Sequence, residues 1–265
     1  MRVPLPVRAL PALSFEAWLS PPPLGRSAAA RDLETLSVMT PCHFGGVPGF
    51  EVGAGPIAMA LHGWGGRPAQ MVPIALRLAE EGFRVVVPTL PGHAGGEKTD
   101  IKVGAASVRG LIDDLGTPEL IVAHSFASMV LRLVFLGDAP ARVVLVAPAL
   151  DVGDALDVFG DRLRLLPWAR RGLRSRLESW DPLLWPILSD SYPRQLPGAE
   201  VLIVHDPADE DTPFLRSAEL AAVRPATSIM PIEGSGHSRI LSDHRTLDLT
   251  ADFATRRPLT RESAA

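Results

Sequence analysis

Ser125 stands where an apolar run passes directly into a segment with helical spacing. Residues 120–123 predict a short buried strand, and residues 126–136 predict the helix that follows it. A nucleophilic serine on such a turn needs small neighbours two positions away on each side. Ala123 and Ala127 meet that need, although glycine is more usual there. The pattern favours Ser125 as a nucleophile, and the alternative is a serine that only caps the helix.

A glycine-rich segment precedes this serine in the chain. The sequence His-Gly-Trp-Gly-Gly at 62–66 follows a predicted strand at 57–61, and such a turn can point backbone N–H groups into the space above a sheet. Acyl transfer needs two donors around its developing negative oxygen. The expected pair is the N–H of Trp64 and the N–H of Phe126. We expect His62 to orient this loop rather than to act as a base.

A serine nucleophile also needs a base, and the base needs an orienting carboxylate. Four acids lie between 206 and 211, just after a predicted strand at 201–204. Asp209 has the spacing that is usual for the acid of a triad. Asp206 and Asp211 are the alternatives, and either could instead form a turn or cap the next helix.

The base is expected on the loop that follows the last predicted strand. His237 lies in Gly-Ser-Gly-His-Ser at 234–238, after a predicted strand at 228–232, and so completes the order serine, acid, histidine. A loop of small residues can bring an imidazole over the serine. His93 and His244 are expected to be structural or surface residues.

These candidate residues lie in a region where short apolar runs alternate with longer segments of helical spacing. Runs of four to six residues predict strands, and longer segments with helical spacing predict helices. The predicted strands are 57–61, 83–87, 120–123, 142–146, 201–204 and 228–232. The predicted helices are 69–81, 102–115, 126–136, 213–222 and 240–253. This alternation predicts an α/β fold with a mostly parallel central sheet flanked by helices.

The alternation stops in the middle of the chain, where no strand is predicted. We interpret residues 150–195 as a helical cap inserted after a strand, above the edge where ligands bind in α/β proteins. Trp168, Trp180 and Trp185 are candidates for a substrate pocket there, or they only hold the cap on the main domain. The predicted division is an N-terminal extension with the first strands at 1–54, an α/β core at 55–149 and 196–255, the cap, and a flexible tail at 256–265.

Taken together, these motifs resemble the α/β-hydrolase superfamily over roughly residues 55–253. The motifs that carry the resemblance are His62-Gly63-Trp64-Gly65-Gly66, Pro91-Gly92-His93, Ala123-His124-Ser125-Phe126-Ala127, Asp209 with Pro213, and Gly236-His237. The resemblance implies an eight-stranded sheet and a Ser125–His237–Asp209 triad with no metal and no organic cofactor. The loop at 62–66 is similar to that of pimeloyl-carrier-protein methyl ester esterases, which implies that Trp64 contacts the oxyanion and the substrate. The alanines beside Ser125 depart from that group, so its substrate is not carried over.

Composition limits the partners. The net charge of −4 gives no global positive field for nucleic acid, and no apolar run approaches the roughly 18 residues that span a bilayer. A single cysteine, Cys42, cannot form an internal disulfide, which favours a reducing compartment. We therefore expect a cytoplasmic enzyme with a small-molecule substrate. The oligomeric state is not predicted.

Three functions are compatible with these features. The first is hydrolysis of a small or medium carboxylic ester through an acyl-serine intermediate; Ser125 argues against the superfamily's dehalogenases and epoxide hydrolases, which use aspartate. The second is an acyl thioesterase or carrier-protein ester esterase, docking an acidic partner on the cap's arginines between Asp161 and Trp180. The third is a non-catalytic binding protein on a hydrolase scaffold.

Overall fold

A single eight-stranded sheet forms the centre of the molecule. The computed structural model describes residues 10–93, 95, 97–135, 139–189, 196 and 198–256. Along the sheet the strand order is β1-β2-β4-β3-β5-β6-β7-β8. The strands are β1 (Thr40–Phe44), β2 (Val47–Val52), β3 (Ile57–Leu61), β4 (Arg84–Pro88), β5 (Leu120–His124), β6 (Arg142–Val146), β7 (Glu200–His205) and β8 (Thr227–Pro231).

The strands from β4 across to β8 are parallel, whereas β1 and β2 are antiparallel to their neighbours. All six strands predicted from apolar runs are present within one residue of their predicted bounds. The prediction succeeds because β5 and β6 are buried along their whole length, so they consist almost entirely of apolar residues. β1 and β2 form a hairpin whose turn holds Gly45 and Gly46 at positive φ, as a tight hairpin turn requires.

Helices cover both faces of the sheet. The helices are α1 (Leu10–Trp18), α2 (Arg26–Leu36), α3 (Val72–Glu80), α4 (Ile101–Leu115), α5 (Ala127–Val134), α6 (Val152–Arg162), α7 (Pro167–Trp180), α8 (Leu184–Ser189), α9 (Phe214–Val223), α10 (Gly236–Arg239) and α11 (His244–Thr255). One core packs α4 and α5 on the sheet and the other packs α3 and α11 on the opposite face. No helix in the described ranges has the length and apolar character needed to cross a membrane.

Two predictions about helices differ from the structure. Residues 26–36 form α2, although no helix is predicted from this stretch. The helix predicted at 240–253 is divided, because the Asp243 side chain accepts a hydrogen bond from the N–H of Arg245 and caps a new helix, α11. His244 is therefore the first residue of α11 rather than an interior one, and its side chain is exposed. The end of the predicted helix at 136 lies outside the described residues.

The cap consists of α6, α7 and α8, which lie between β6 and β7 in the chain. The N-terminal helix α1 packs on α7. Phe15 of α1 is buried in a small apolar cluster with Leu156, Leu173 and Leu177. α1 thus lies against the cap, although Phe15 is distant from these three leucines in the sequence.

Candidate active site

Ser125 follows β5 directly and has a left-handed backbone, with φ of 52°. A non-glycine residue in this region is strained, by about 1 to 3 kcal/mol, and persists only where its surroundings hold it. Three backbone hydrogen bonds do so here. The Ser125 N–H donates to Val146 at 3.1 Å, and the Ser125 carbonyl accepts from Ser128 at 3.0 Å and from Ala149 at 3.1 Å. The turn therefore fixes the serine between β5, α5 and the end of β6.

Ser125, His237 and Asp209 form a hydrogen-bonded chain. The Ser125 Oγ lies 2.9 Å from His237 Nε2, and His237 Nδ1 lies 2.7 Å from Asp209 Oδ2. With Nδ1–H donating to the carboxylate, Nε2 is free to accept the serine proton. The three residues follow β5, β8 and β7, so the parallel sheet brings their strand ends to one edge.

The Asp209 carboxylate is fully buried and receives several hydrogen bonds. Its Oδ1 accepts from the N–H groups of Asp211 at 2.7 Å and Thr212 at 3.0 Å. Its Oδ2 lies 3.3 Å from His205 Nε2, in addition to the bond from His237. Burial alone would raise the pKa of Asp209, but the bonds from His205 and His237 hold this pKa well below its usual range. Asp209 is consequently a carboxylate at neutral pH, as an orienting acid must be.

The two alternative acids have other partners. Asp206 accepts from the N–H of Gly236 at 2.5 Å and from the N–H of Ala208 at 2.9 Å, so it ties the acid loop to the His237 loop. Burial opposes ionisation of Asp206, yet these backbone bonds keep its pKa below the usual value. Asp211 pairs with Arg162 of the cap.

The side chains that could hold a metal ion near His237 are already engaged in other contacts. Ligand atoms of Asp209, Asp211 and His237 lie within 4.8 Å of one another. However, Nδ1 of His237 already donates to Asp209, and Asp211 already pairs with Arg162. Binding a cation there would break the hydrogen bond that orients His237, so the arrangement fits proton transfer better than metal coordination.

The glycine-rich loop after β3 lies against the serine. A Cβ added to Gly63 would stand 3.0 Å from Ser125 Cβ and 3.1 Å from His124 Nδ1, so any side chain here would crowd the serine. The rings of Trp64 and Phe126 meet edge to face with centroids 5.1 Å apart. Within the described part of the chain, the N–H groups of Trp64 and Phe126 donate to no other residue, so both are available to a ligand oxygen.

Two buried histidines support these loops. His62 Nδ1 bonds to the carbonyl of Gly63 at 2.9 Å, and its Nε2 accepts from the N–H of Leu90 at 3.2 Å. His124 Nε2 donates to the backbone carbonyl of His237 at 2.9 Å. His62 therefore anchors the glycine-rich loop, and His124 anchors the loop of the base. Neither contacts Ser125 Oγ through a hydrogen bond.

Replacing Gly63 with alanine is expected to lower kcat, by up to about 10²-fold, the loss that a displacement of about 1 Å can cause. The added methyl would crowd Ser125 Cβ, so the loop with its N–H donors or the serine must shift by a few tenths of an ångström. Steady-state kinetics with an activated ester measure the change. Gly110→Ala is the matched control, since nothing lies within 4 Å of its added Cβ. Equal activity in the two variants would contradict the position given to the loop.

The fold is expected to lose stability as the pH falls from about 6.5 towards 3. Burial lowers the pKa of both His62 and His124 to about 3, against about 6.5 in an unfolded chain. Between these values the unfolded state binds more protons. The stabilisation is thus complete above pH 6.5 and falls by up to about 1.4 kcal/mol per pH unit for each histidine. Urea unfolding at pH 7, 6, 5 and 4.5 measures the slope.

A pair of variants assigns this slope to its source. His124→Gln keeps an N–H donor for the His237 carbonyl but removes one titrating group, so the slope should fall by as much as half. His244→Gln makes the same substitution at an exposed histidine and is the control for the change of side chain. An unaltered slope in His124→Gln would rule out His124 as a contributor.

An apolar cavity of about 380 Å³ opens beside the serine. Trp180 and Trp185, both suggested by the sequence, line it, whereas Trp168 is not among the lining residues. Further apolar side chains on its wall come from α4, from Phe126 and α5, and from the cap. They include Ile101, Phe126, Met129, Val152, Phe159, Leu177, Leu184 and Leu188.

Sequence reasoning missed several residues of the site. Trp18 and Leu19 line the cavity from the N-terminal segment, and nothing in their local sequence indicates it. His205 reaches the Asp209 carboxylate from the end of β7, and Asp206 holds the loop that carries His237. Both stand in the loop region where the acid was sought, so a search for polar residues at strand ends could have found them.

Comparisons with known proteins agree with this architecture. A family model described as "Alpha/beta hydrolase family" matches residues 59–249. Among curated proteins, none matches the sequence.

Many solved structures share the fold. A meta-cleavage product hydrolase from Pseudomonas fluorescens IP01 superposes with a TM-score of 0.60 at 18% identity, over 82% of this chain and 98% of that one. An esterase from Exiguobacterium antarcticum superposes with a TM-score of 0.59 at 17% identity, over 80% of this chain and 97% of that one. A 2-hydroxy-6-oxo-6-phenylhexa-2,4-dienoate hydrolase from Rhodococcus sp. strain RHA1 superposes with a TM-score of 0.61 at 18% identity, over 83% of this chain and 99% of that one. At these identities the likeness establishes the fold.

Proposed function

The chain belongs to the alpha/beta hydrolase family, and on this premise we propose that it hydrolyses a carboxylic ester through an acyl-serine intermediate. The observation that carries the proposal is the chain of hydrogen bonds from Ser125 Oγ through His237 to Asp209. This arrangement can take a proton from the hydroxyl as it attacks and return that proton to a leaving group.

The reaction would proceed in two halves. In the first, Ser125 Oγ attacks the ester carbonyl while His237 Nε2 takes its proton, and the N–H groups of Trp64 and Phe126 bind the oxyanion. His237 then protonates the departing alcohol, which leaves an acyl group on the serine. In the second half, water attacks the acyl-serine with His237 again acting as base, and the acid is released. Asp209 stabilises the imidazolium in both halves.

The cavity supports an uncharged, apolar substrate of small or medium size. Most of its wall is aliphatic or aromatic, and the charged groups near it are largely paired with one another, such as Arg162 with Asp211 and Lys102 with Asp181. An ester with an apolar chain therefore fits better than one with a charged chain. A thioester with the same chain would react by the same steps and remains part of the test.

The cap offers less free positive charge than its sequence suggests, which favours a free ester over an acidic carrier protein. Several of its arginines have partners within the chain. The ion pairs are Arg162 with Asp211, Arg170 with Asp161, and Arg174 with Glu178. Arg176 lies against the ring of Phe15, a contact that leaves its charge in place. The intact geometry of the triad likewise argues against a purely binding role. We also propose a cytoplasmic location, because a single cysteine cannot form an internal disulfide and so fits a reducing compartment.

A panel of p-nitrophenyl esters and matched acyl thioesters, graded in chain length, tests the proposal. We expect turnover of the esters, an initial burst of p-nitrophenol, and an acyl adduct on the peptide that contains Ser125, detected by mass spectrometry after acid quenching. Preference for carrier-bound thioesters, weakened by salt, would support the thioesterase instead. Tight ligand binding with no turnover, unaffected by a fluorophosphonate probe, would support the binding protein.

A further inference from the structure

The N-terminal strap, which we define as residues 10–22, lies outside the part of the chain that the family model matches. It comprises α1 and the segment that follows. Phe15 anchors α1 on the cap: its side chain is 7% exposed, and its ring meets that of Trp180 edge to face at 5.9 Å. The guanidinium of Arg176 lies 5.2 Å from the same ring. The strap is thus fixed to α7 by a buried aromatic contact.

Beyond this anchor the strap enters the substrate cavity. Trp18 and Leu19 lie on the wall of the same cavity that contains Ser125 and His237. The indole of Trp18 meets the ring of Phe159 in α6 edge to face, with centroids 5.2 Å apart. The carbonyl of Leu19 accepts a hydrogen bond of 2.9 Å from the N–H of Thr99, which is itself part of the wall. Side chain and backbone both hold Trp18 in place.

The far end of the strap reaches the glycine-rich loop. A Cβ added to Gly65 would lie 2.7 Å from Cγ of Pro22, so the two segments are in close contact. The strap therefore runs from α6 and α7 of the cap, past Thr99, to the loop that presents the N–H of Trp64. It contributes Trp18 and Leu19 to a cavity wall that otherwise comes from the main domain and the cap.

We infer that the N-terminal strap is part of the substrate site and that Trp18 limits the length of the apolar chain that the cavity accepts. This inference rests on the proposed ester hydrolysis. Trp18 packs against the core that contains α4 and α5. It also packs against the small cluster of Phe15, Leu156, Leu173 and Leu177. Removing its indole would thus extend the cavity into apolar surroundings, where a longer chain gains contacts instead of meeting water.

The test compares Trp18→Ala with Leu13→Ala, a change on an exposed position of the same helix that does not line the cavity. kcat/KM is measured for p-nitrophenyl esters with acyl chains of graded length, and for acetate esters with alcohols of graded length. In one of the two series, Trp18→Ala should raise the ratio of long-chain to short-chain kcat/KM at least tenfold, a factor that a single methylene can contribute in an apolar pocket. Leu13→Ala should change the ratio less than twofold.

Trp18→Phe keeps an aromatic ring against Phe159 and should give an intermediate ratio. If circular dichroism shows that Trp18→Ala does not fold, the ratio in Trp18→Phe and Trp18→Leu decides. Ratios equal to those of Leu13→Ala, in a wild-type protein that turns over esters, overturn the role of Trp18 and leave the proposed function intact. A wild-type protein that neither hydrolyses any ester nor reacts with alkyl fluorophosphonates at Ser125 overturns both.

Discussion

Replacing Ser125 with alanine is expected to lower kcat for ester hydrolysis by roughly 10⁵- to 10⁶-fold, the loss typical of a missing triad nucleophile. The hydroxyl is the group that would form the acyl intermediate, and it lies 2.9 Å from the base. Alanine keeps the backbone turn without the reacting atom, so the remaining activity would come from substrate binding and the oxyanion donors alone. Initial rates with p-nitrophenyl esters, together with the loss of the burst, measure the effect.

Ser128→Ala is the matched control for this variant. Ser128 lies in the first turn of α5, three residues after Ser125, and is buried, whereas Ser125 is partly exposed. Its removal tests whether loss of a hydroxyl from this helix disturbs the fold, and its kcat should stay within about an order of magnitude of wild type. Thermal unfolding of both variants checks that they are folded. Full ester turnover in folded Ser125→Ala would end the proposed mechanism.

The centre of the sheet could be predicted because its inner parallel strands are buried on both faces. β6 is apolar after its first residue, and β5 is apolar up to His124, so each stands out from the amphipathic helices beside it. α2 carries no such signal. It begins at Arg26 with no side-chain cap, and only Leu36 among its residues is buried, so neither a capping motif nor an apolar stripe marks it.

The proximity of Ser125, Asp209 and His237 could be anticipated because their order and their positions after strands are local properties of the sequence. Asp206, Asp209 and Asp211 share one loop, and what distinguishes them is which partner each carboxylate reaches. Identifying the acid that contacts His237 therefore required the structure. The place of Trp18 is a matter of long-range packing, since its partner Phe159 is far away in the chain. No local pattern encodes such a contact.

Changing Asp209 to asparagine is expected to lower kcat by about 10⁴-fold, which is the loss known for the corresponding change in a serine triad. Asparagine has nearly the same shape, but its amide can donate to His237 Nδ1 and so favour the tautomer that carries a proton on Nε2. That tautomer cannot accept the serine proton. The amide also removes the negative charge that stabilises the imidazolium. Both effects act on kcat, measured with the same p-nitrophenyl ester as Ser125→Ala.

Asp206→Asn should behave differently, and the difference identifies the acid. Asp206 accepts hydrogen bonds from Gly236 and Ala208, so an amide in its place weakens the link between two loops without touching His237. We expect a loss of about 1 to 3 kcal/mol in the free energy of unfolding, the usual result of disrupting such bonds. The decrease in kcat should be at least 100-fold smaller than for Asp209→Asn. If Asp206→Asn abolishes turnover while Asp209→Asn leaves it near wild type, the roles assigned to these two carboxylates are reversed, and the orienting bond to His237 must come from a different arrangement of the loop.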